Sequence, residues 1–381
     1  MFSLLSKKSL IKSALFKNTP IYVQFYITAR CNLTCKQCNI TYANSDVREA
    51  TLDEIKKIAD NLAKLEVAII LLTGGEPFVR GDLPDIIKIF EERGIHVRMQ
   101  TNGLATEEQI HKAIEYGGKD ISISLDSLKA QIQDEINGGF KGSWNKALKA
   151  ISFFTKYLPV DSSFASLGCV FQRDNINDVI DVIKFGTSIS WFTSLVPIHI
   201  TDYFHPKGFR TFDQSLKFRK DDYFFIDEMI ENVREMRKKG FLLYDSDQYL
   251  DDIKRFVRNE PITWRHRNSG LCDSPNLYFV VLPNGEFAPC CDYRLNTGIF
   301  TYSDDFVIQY RKREFRKEVQ KITGKCNGCM FGSFPEITIS LRYLDAQIQR
   351  VRLFYTSPPK KKWPVSYEQI LENIDSILSA R

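Results

Sequence analysis

Between residues 21 and 200 the chain repeats one pattern: a short strand-like run, then an amphipathic stretch with helical spacing. The strand candidates are Ile21 to Thr28, Val67 to Thr73, His96 to Gln100, Asp120 to Leu125, Phe164 to Phe171 and Trp191 to Ile198. Val67 to Thr73 is nearly unbroken apolar sequence, as expected of a parallel strand covered on both faces. The intervening helices carry their own punctuation. Thr51-Leu52-Asp53-Glu54 has the form of a capping box and precedes an apolar face of Ile55, Ile58, Ala59, Leu62 and Leu65. Asp82 can cap a helix with Pro84 in its first turn and Gly94 at its end. Thr106 with Gln109 forms a second capping box before a helix closed by Gly117-Gly118; Ser143 to Phe154 is a further helix, and Asn175 is the expected cap of one running to Phe185. Six strands, each except the last followed by a helix, predict an α/β fold with a parallel sheet and right-handed crossovers. Such a sheet closes into a partial (β/α)6 TIM-like barrel, with an open doubly wound sheet as the alternative.

Composition narrows the class of function. The 381 residues are 43% hydrophobic and 26% charged, with a net charge of +5 spread along the chain. That balance gives little reason to expect nucleic acid, and no apolar run is long enough to span a bilayer. Nine cysteines, an odd number with seven in ligand-like groupings, suit metal ligation in a reducing cytoplasm better than a disulfide framework. The basic segment 1–20 interleaves Lys7, Lys8, Lys12 and Lys17 with Leu4, Leu5, Leu10, Ile11, Leu15 and Phe16. As a helix it would put Lys7 inside the apolar sector, so packing on the domain or fraying is expected before peripheral contact with a membrane.

Beyond residue 200 the texture changes. Residues 201–270 are rich in aromatics and charge, with helical stretches around Tyr223 to Lys239 and Tyr249 to Val257. Tyr278 to Leu282, Pro283-Asn284-Gly285 and Glu286 to Ala288 read as a β-hairpin, since Asn-Gly is a strong turn signal. Residues 336–381 run through Ile337 to Phe354, a basic link at Pro358 to Lys362 expected to be a solvated connector, and a helix from Ser366 to Leu378.

The chemistry sits at strand ends. Cys31, Cys35 and Cys38 lie within eight residues directly after the first strand. Three thiolates on one loop can hold three irons of a cubane cluster and leave the fourth open, whereas a structural zinc site fills all four positions with protein ligands. Thr73-Gly74-Gly75-Glu76-Pro77 ends the second strand; its glycines permit close backbone approach, and Glu76 can accept from an ammonium group. Gln100-Thr101-Asn102-Gly103 ends the third strand and Ser122-Ile123-Ser124-Leu125-Asp126 the fourth. Functional groups collect at this end of parallel barrels.

Taken together these four motifs resemble the radical SAM superfamily over roughly residues 20 to 200. The resemblance implies that Cys31, Cys35 and Cys38 ligate a [4Fe-4S] cluster whose open iron chelates S-adenosylmethionine. Gly74, Gly75, Glu76 and Pro77 would lie against the amino group of S-adenosylmethionine, and Asn102, Ser124 and Asp126 would bind the cofactor too. Relatives often place a bulky residue before the third cysteine, where this chain has Gln37. Many carry Arg in an Asp-x-x-Arg-Gly stretch after the fourth strand; here Asp134-Glu135-Ile136-Asn137-Gly138 has Asn137, and Lys141 or Arg173 are the candidates to meet the cofactor carboxylate.

A second cysteine group comprises Cys272, Cys290, Cys291, Cys326 and Cys329. Cys326-x-x-Cys329 is a ligand pair by spacing. With a cysteine just after the hairpin, the group resembles the auxiliary-cluster extension called SPASM, or its shortened twitch form. Cys272, Cys290, Cys326 and Cys329 are the expected ligands of one auxiliary [4Fe-4S] cluster, with Cys291 the competitor to Cys290 and Cys169 a buried strand cysteine. The expected domains are therefore 1–20, a barrel at 21–200, a helical linker or insertion at 201–270, an auxiliary-cluster domain at 271–335 and an extension at 336–381. His199 is expected to be a satisfied polar residue at the barrel rim.

The resemblance implies reductive cleavage of S-adenosylmethionine to a 5′-deoxyadenosyl radical, hydrogen abstraction from a substrate, and net oxidation aided by the auxiliary cluster. It also implies an external electron donor of the flavodoxin or ferredoxin kind. No catalytic side chain is singled out. Peptide-modifying relatives often carry an N-terminal leader-binding domain, and about 20 residues before the first strand are too few for one. The expected substrate is therefore a small, sugar-like or lipid-linked molecule, selected in part by residues 201–270. A ribosomally made peptide is the alternative within the family, and a non-catalytic zinc-binding interaction module the alternative outside it.

Overall fold

The computed structural model describes residues 8, 12, 19–38, 48–199, 214–264, 272–291, 297–326, 328–352 and 360–380. Six parallel strands form in chain order: β1 (Tyr22–Thr28), β2 (Ile69–Gly74), β3 (His96–Thr101), β4 (Asp120–Ser124), β5 (Phe164–Phe171) and β6 (Phe192–Pro197). They lie in the sheet in that same sequence, from β6 at one edge back to β1. A doubly wound sheet would reverse direction at a switch point. The unbroken order instead winds every crossover the same way, which gives a partial, open barrel.

Alternation within the strands explains both surfaces. In β1, Val23, Phe25 and Ile27 join the large core beneath the helices, while Tyr22 and Tyr26 join the smaller inner cluster. The outer helices are α1 (Leu52–Lys64), α2 (Leu83–Glu91), α3 (Glu107–Glu115), α4 (Ala130–Ile136), α5 (Ser143–Tyr157) and α6 (Val179–Ser188). The capping boxes at Thr51/Glu54 and Thr106/Gln109 are both formed.

Two expected caps are not. Asp82 makes no cap bond; its carboxylate is drawn 2.6 Å from the Arg80 guanidinium. Asn175 faces inward, donating to the carbonyls of Asp126 (2.8 Å) and Val170 (3.0 Å), and a 3-10 turn, Ile176–Asp178, separates it from α6. Buried strand-end carbonyls claim this side chain before the helix can. The short helix α4 has no periodic signature in the sequence, and it proves to buttress the cysteine loop.

Helices α7 (Tyr223–Lys238) and α8 (Asp247–Val257) follow, and the segment between them covers the β6 edge. Thr193 N donates to the Leu242 carbonyl at 2.9 Å and Tyr244 N to the Thr193 carbonyl at 2.8 Å. The predicted hairpin forms as β7 (Tyr278–Val281) and β8 (Phe287–Ala288), with Gly285 at φ +84° in the turn. It does not make a sheet of its own. β7 pairs in parallel with β1, Tyr22 opposite Tyr278 through Phe25 opposite Val281, so the sheet has eight strands ending β1-β7-β8.

Five further helices are α9 (Phe306–Arg311), α10 (Arg313–Thr323), α11 (Ser333–Arg342), α12 (Leu344–Val351) and α13 (Tyr367–Ser379). The basic link is not merely solvated: Lys361 donates to the carbonyls of Val160 (2.5 Å) and Ser163, and Trp363 Nε1 donates to the Ile189 carbonyl, seating α13 near α5 and α6. The N-terminal helix question falls largely outside the described residues, although Lys12 pairs with Glu66. Among the described residues no helix is long and apolar enough to cross a membrane.

Candidate functional site

The interior of the barrel is hollow because its inward positions are small or polar. Gln24, Thr73, Gln100, Ser122, Ser124, Ser166, Gly168 and Ser194 all line a cavity of about 300 Å³. Large apolar side chains at these alternate positions would have filled the barrel instead.

All four sequence motifs meet at the cavity's upper end. Cys31, Cys35 and Cys38 line it, with Gly74, Gly75 and Glu76, Asn102, and Ser124 and Asp126. Pro77 stands behind, opening the 3-10 turn Pro77–Val79. The glycines serve the protein's own backbone first. A Cβ on Gly74 would sit 2.2 Å from the Thr28 carbonyl oxygen, and one on Gly75 2.1 Å from that of Arg30. Gly75 N and Glu76 N donate to those same carbonyls at 2.9 and 2.8 Å. The turn is thereby zipped to the start of the cysteine loop.

Glu76 is a structural acceptor as well as a wall. Its Oε1 accepts hydrogen bonds from Phe78 N (3.0 Å) and Thr101 Oγ1 (2.8 Å), and its Oε2 from Asn102 N (2.7 Å). Burial nevertheless pushes its pKa up to about 7. Asp126 is likewise raised to about 7 by burial, with Val170 N (2.7 Å) and Gln37 Nε2 (3.1 Å) donating to it. Asn102 reaches back to the loop, its Nδ2 lying 2.7 Å from Asn32 Oδ1 and 3.9 Å from Cys31 Sγ.

Helix α4 holds the loop from the other side. Lys36 N donates to the Ile136 carbonyl (3.0 Å), and Cys35 Sγ to Asn137 Oδ1 (3.5 Å). Asn137 therefore steadies the loop. Arg173 is committed to Asp222 at 2.8 Å, which removes it as a candidate for the cofactor carboxylate.

The donor set fits an iron–sulfur cluster with a bound ligand. Burial raises the Cys31 thiol to about 11 and holds the Cys35 thiol well above its usual value; the charges of Glu76 and Cys38 add to the first, and those of Cys38 and Cys31 to the second. Thiols so placed ionise only against a metal's charge. Among the described residues no three His, Cys, Asp or Glu side chains converge tightly enough for a single metal ion. Gln37 Oε1 is buried at the cavity wall with no protein partner, an acceptor left over for a ligand.

The second cysteine group lies beside the barrel. Ser274 Oγ donates to the Pro289 carbonyl at 2.5 Å, tying the Cys272 segment to that of Cys290. Cys272 is raised by burial and by the charge of Cys326, so those two thiols are neighbours. Trp264 Nε1 donates to the Cys329 carbonyl (2.9 Å). Cys291 is different: it is buried, lines the barrel cavity, and donates to Gln24 Oε1 at 3.0 Å. Cys169 is buried in β5 as expected.

His199 is the satisfied polar residue at the barrel rim that was expected, and it is also a link to the second cysteine group. Its Nδ1 lies 3.0 Å from the Pro197 carbonyl, Met330 N donates to its Nε2 at 2.8 Å, and Phe331 stacks on its ring at 3.8 Å. Burial lowers its pKa to about 3, so it is neutral with the proton on Nδ1. The sequence reading also passed over Arg98, which enters the cavity from β3. Its signal was present: strict alternation from Gln100 and Asn102 aims position 98 inward.

Comparison with known proteins agrees with this geometry. A family model described as the Radical SAM superfamily matches residues 25–186. An AdoMet-dependent heme synthase of Methanosarcina barkeri is 33% identical over 327 residues, 82% of this chain and 89% of that protein. Mycofactocin maturase MftC of Mycolicibacterium smegmatis is 29% identical over 163 residues, 42% of this chain and 40% of the maturase. A PqqA peptide cyclase of Bradyrhizobium diazoefficiens is 27% identical over 172 residues, covering 45% and 44%. Among solved structures, anSMEcpe with bound AdoMet superposes with a TM-score of 0.60 at 16% identity, covering 95% of this chain and 97% of that one.

Proposed function

This chain belongs to the radical SAM superfamily, and from that premise we propose that it oxidises a small molecule held inside the barrel. It is an enzyme of radical chemistry whose cofactors are a [4Fe-4S] cluster and S-adenosylmethionine. The zinc-binding interaction module gives way to that assignment. In our reading Cys31, Cys35 and Cys38 hold the cluster, and Cys272, Cys290, Cys326 and Cys329 hold an auxiliary one. Bound there, the first cluster with S-adenosylmethionine supplies reductive radical generation, and the second supplies an electron acceptor for net oxidation.

The chain's own residues position and shield. Glu76, by holding Phe78, Thr101 and Asn102 on one carboxylate, fixes the β2 and β3 ends against each other. Gln37 and Asp126 brace the third cysteine against β4. Phe331, Val196 and Pro197 wall the cavity, and Tyr249 Oη, 2.9 Å from the Leu195 carbonyl and 2.8 Å from that of Met330, staples that wall shut. Exclusion of water and fixed orientation are what a reactive radical requires of its protein.

The observation that carries the small-molecule reading is the cavity of about 300 Å³ inside the barrel, whose mixed lining runs from the cysteine loop down to Arg98. It is supported by the heme synthase match, which runs through most of this chain, whereas the match to the peptide cyclase covers less than half. A peptide substrate is the second reading, favoured by that cyclase. Residues 201–213, part of the segment expected to shape selectivity, lie outside the described residues.

The test is anaerobic incubation of the iron-loaded protein with a reductant and S-adenosylmethionine. 5′-Deoxyadenosine should form, and a Cys35→Ala variant should form none. Zinc without sulfide in the purified protein would overturn the assignment. Comparing small-molecule and peptide pools for material consumed in step with 5′-deoxyadenosine then separates the two substrate readings.

A further inference from the structure

The cavity has a charge at its deep end that the radical chemistry does not use. Arg98 lies in a layer of paired strand positions running Gln24, Leu71, Arg98, Asp120 and Phe164. Asn102 stands four residues further along the same chain. At about 3.3 Å per residue the Arg98 layer is therefore about 13 Å below the level of Asn102 and the cysteine loop. Among the described residues that line the cavity Arg98 is the one lysine or arginine. The carboxylates lining it, Glu76 and Asp126, belong to the upper end and are engaged there.

The surroundings of Arg98 hold a cation without neutralising it. Its guanidinium lies 4.9 Å from the Phe164 ring centre and 6.0 Å from that of Tyr244. The phenols of Tyr244 and Tyr22 bear on it electrostatically, as does Asp120. Asp120, however, directs one oxygen to His96 Nε2 (2.7 Å) and the other to Phe164 N (2.9 Å). The contrast with Arg350 is direct. That arginine lies 3.8 Å from the same Tyr244 ring and is ion-paired to Glu336. The phenols of Tyr244 and Tyr22, together with Asp120, outweigh burial and raise the Arg98 pKa, so the cation is held charged at the cavity wall, where its N–H groups can meet an anionic ligand.

We propose that Arg98 binds a carboxylate of the substrate at the deep end of the barrel, with the phenols of Tyr22 and Tyr244 beside it. A planar fork matches a planar carboxylate. A phosphate dianion would call for a second cation or a helix N-terminus, and the cavity lining offers no second cation among the described residues. The substrate class is thus a carboxylic acid, its acid group about 13 Å along the strand direction from the layer of the cysteine loop. This deepens the small-molecule reading and rests on it.

The experiment uses the iron-loaded protein with S-adenosylmethionine and three probes: succinate, its neutral diamide, and inorganic phosphate. Each probe's affinity is read from the thermal shift it produces in the wild type, Arg98→Gln and Arg98→Lys. Succinate should bind in preference to the diamide and to phosphate. Its affinity should fall by about tenfold or more in Arg98→Gln, and less in Arg98→Lys. Equal response to succinate and diamide, or preference for phosphate, overturns the proposal. So does a lower melting temperature in Arg98→Gln with succinate binding intact, which would make Arg98 structural. 5′-Deoxyadenosine formation by the wild type without substrate tests the radical assignment by itself, so failure here is distinct from failure of that assignment.

Discussion

His199 Nε2 accepts a hydrogen bond from the backbone N–H of Met330, 2.8 Å away and 131 residues later in the chain. One partner follows β6, the other follows Cys329, so this bond joins the barrel rim to the second cysteine group. Replacing His199 with alanine would leave the Met330 N–H buried without a partner and remove the ring stacked on Phe331. A loss of about 1–3 kcal/mol is expected, measured by denaturant unfolding. The bond also carries a pH signature. The folded pKa, about 3, lies below the unfolded value of about 6.5. The contribution is therefore full above about pH 6.5 and is lost as pH falls towards 3. The His199→Ala variant should show a flatter stability profile across that window.

The Gly74-Gly75 pair should be intolerant for a reason that precedes any ligand. An alanine Cβ at position 75 would meet the Arg30 carbonyl oxygen at 2.1 Å. Something must shift, and the rigid neighbour is the backbone that leads into Cys31. Gly75→Ala should cost about 1–3 kcal/mol as overpacking. It should also lower iron at the first site by displacing the loop, with the second site's iron retained, as iron analysis would show.

The strand–helix rhythm made most of the barrel legible, because apolar strands and capped helices are local signals. The upper ring of the site was legible too, since strand-end motifs fall together once the sheet is parallel. What escaped was long-range. Nothing local in Tyr278 to Val281 says that it will pair with β1, and nothing near Asn175 says that the carbonyls of Asp126 and Val170 will claim its side chain. Arg98 was readable by alternation, but its significance depends on Asp120 being occupied by His96 and Phe164, which only the packing reveals. His199 was expected to be satisfied, and it is; its partner could not be foreseen.

Glu76 and Asp126 give the apoprotein a pH dependence opposite in sign to that of His199. Burial raises both to about 7, above the unfolded values of about 4. The folded protein then binds more protons between those limits. Their contribution is complete below about pH 4 and is lost as pH rises through about 7. Asp126→Asn keeps an oxygen for Val170 N and removes the charge. Apoprotein carrying it should be more stable than wild type at about pH 8 and equal to it at about pH 4, as thermal melts at the two pH values would show.

The choice between Cys290 and Cys291 can be argued from where each thiol points. Cys291 donates to Gln24 Oε1 inside the barrel, in the same layer as Arg98, and is buried there. To reach Cys272 and Cys326 it would have to abandon Gln24 and leave the cavity wall. Cys290 is only partly buried at the border of the cluster that contains Cys291, on the stretch that Ser274 ties to the Cys272 segment. Two clusters on seven cysteines predict about eight irons per chain. Cys290→Ala should then lose the auxiliary share, about four, and the triple replacement of Cys31, Cys35 and Cys38 the other four. Cys291→Ala should keep all eight, and its effect, if it faces the substrate, belongs in binding. Loss of iron in Cys291→Ala with full iron in Cys290→Ala would reverse the assignment.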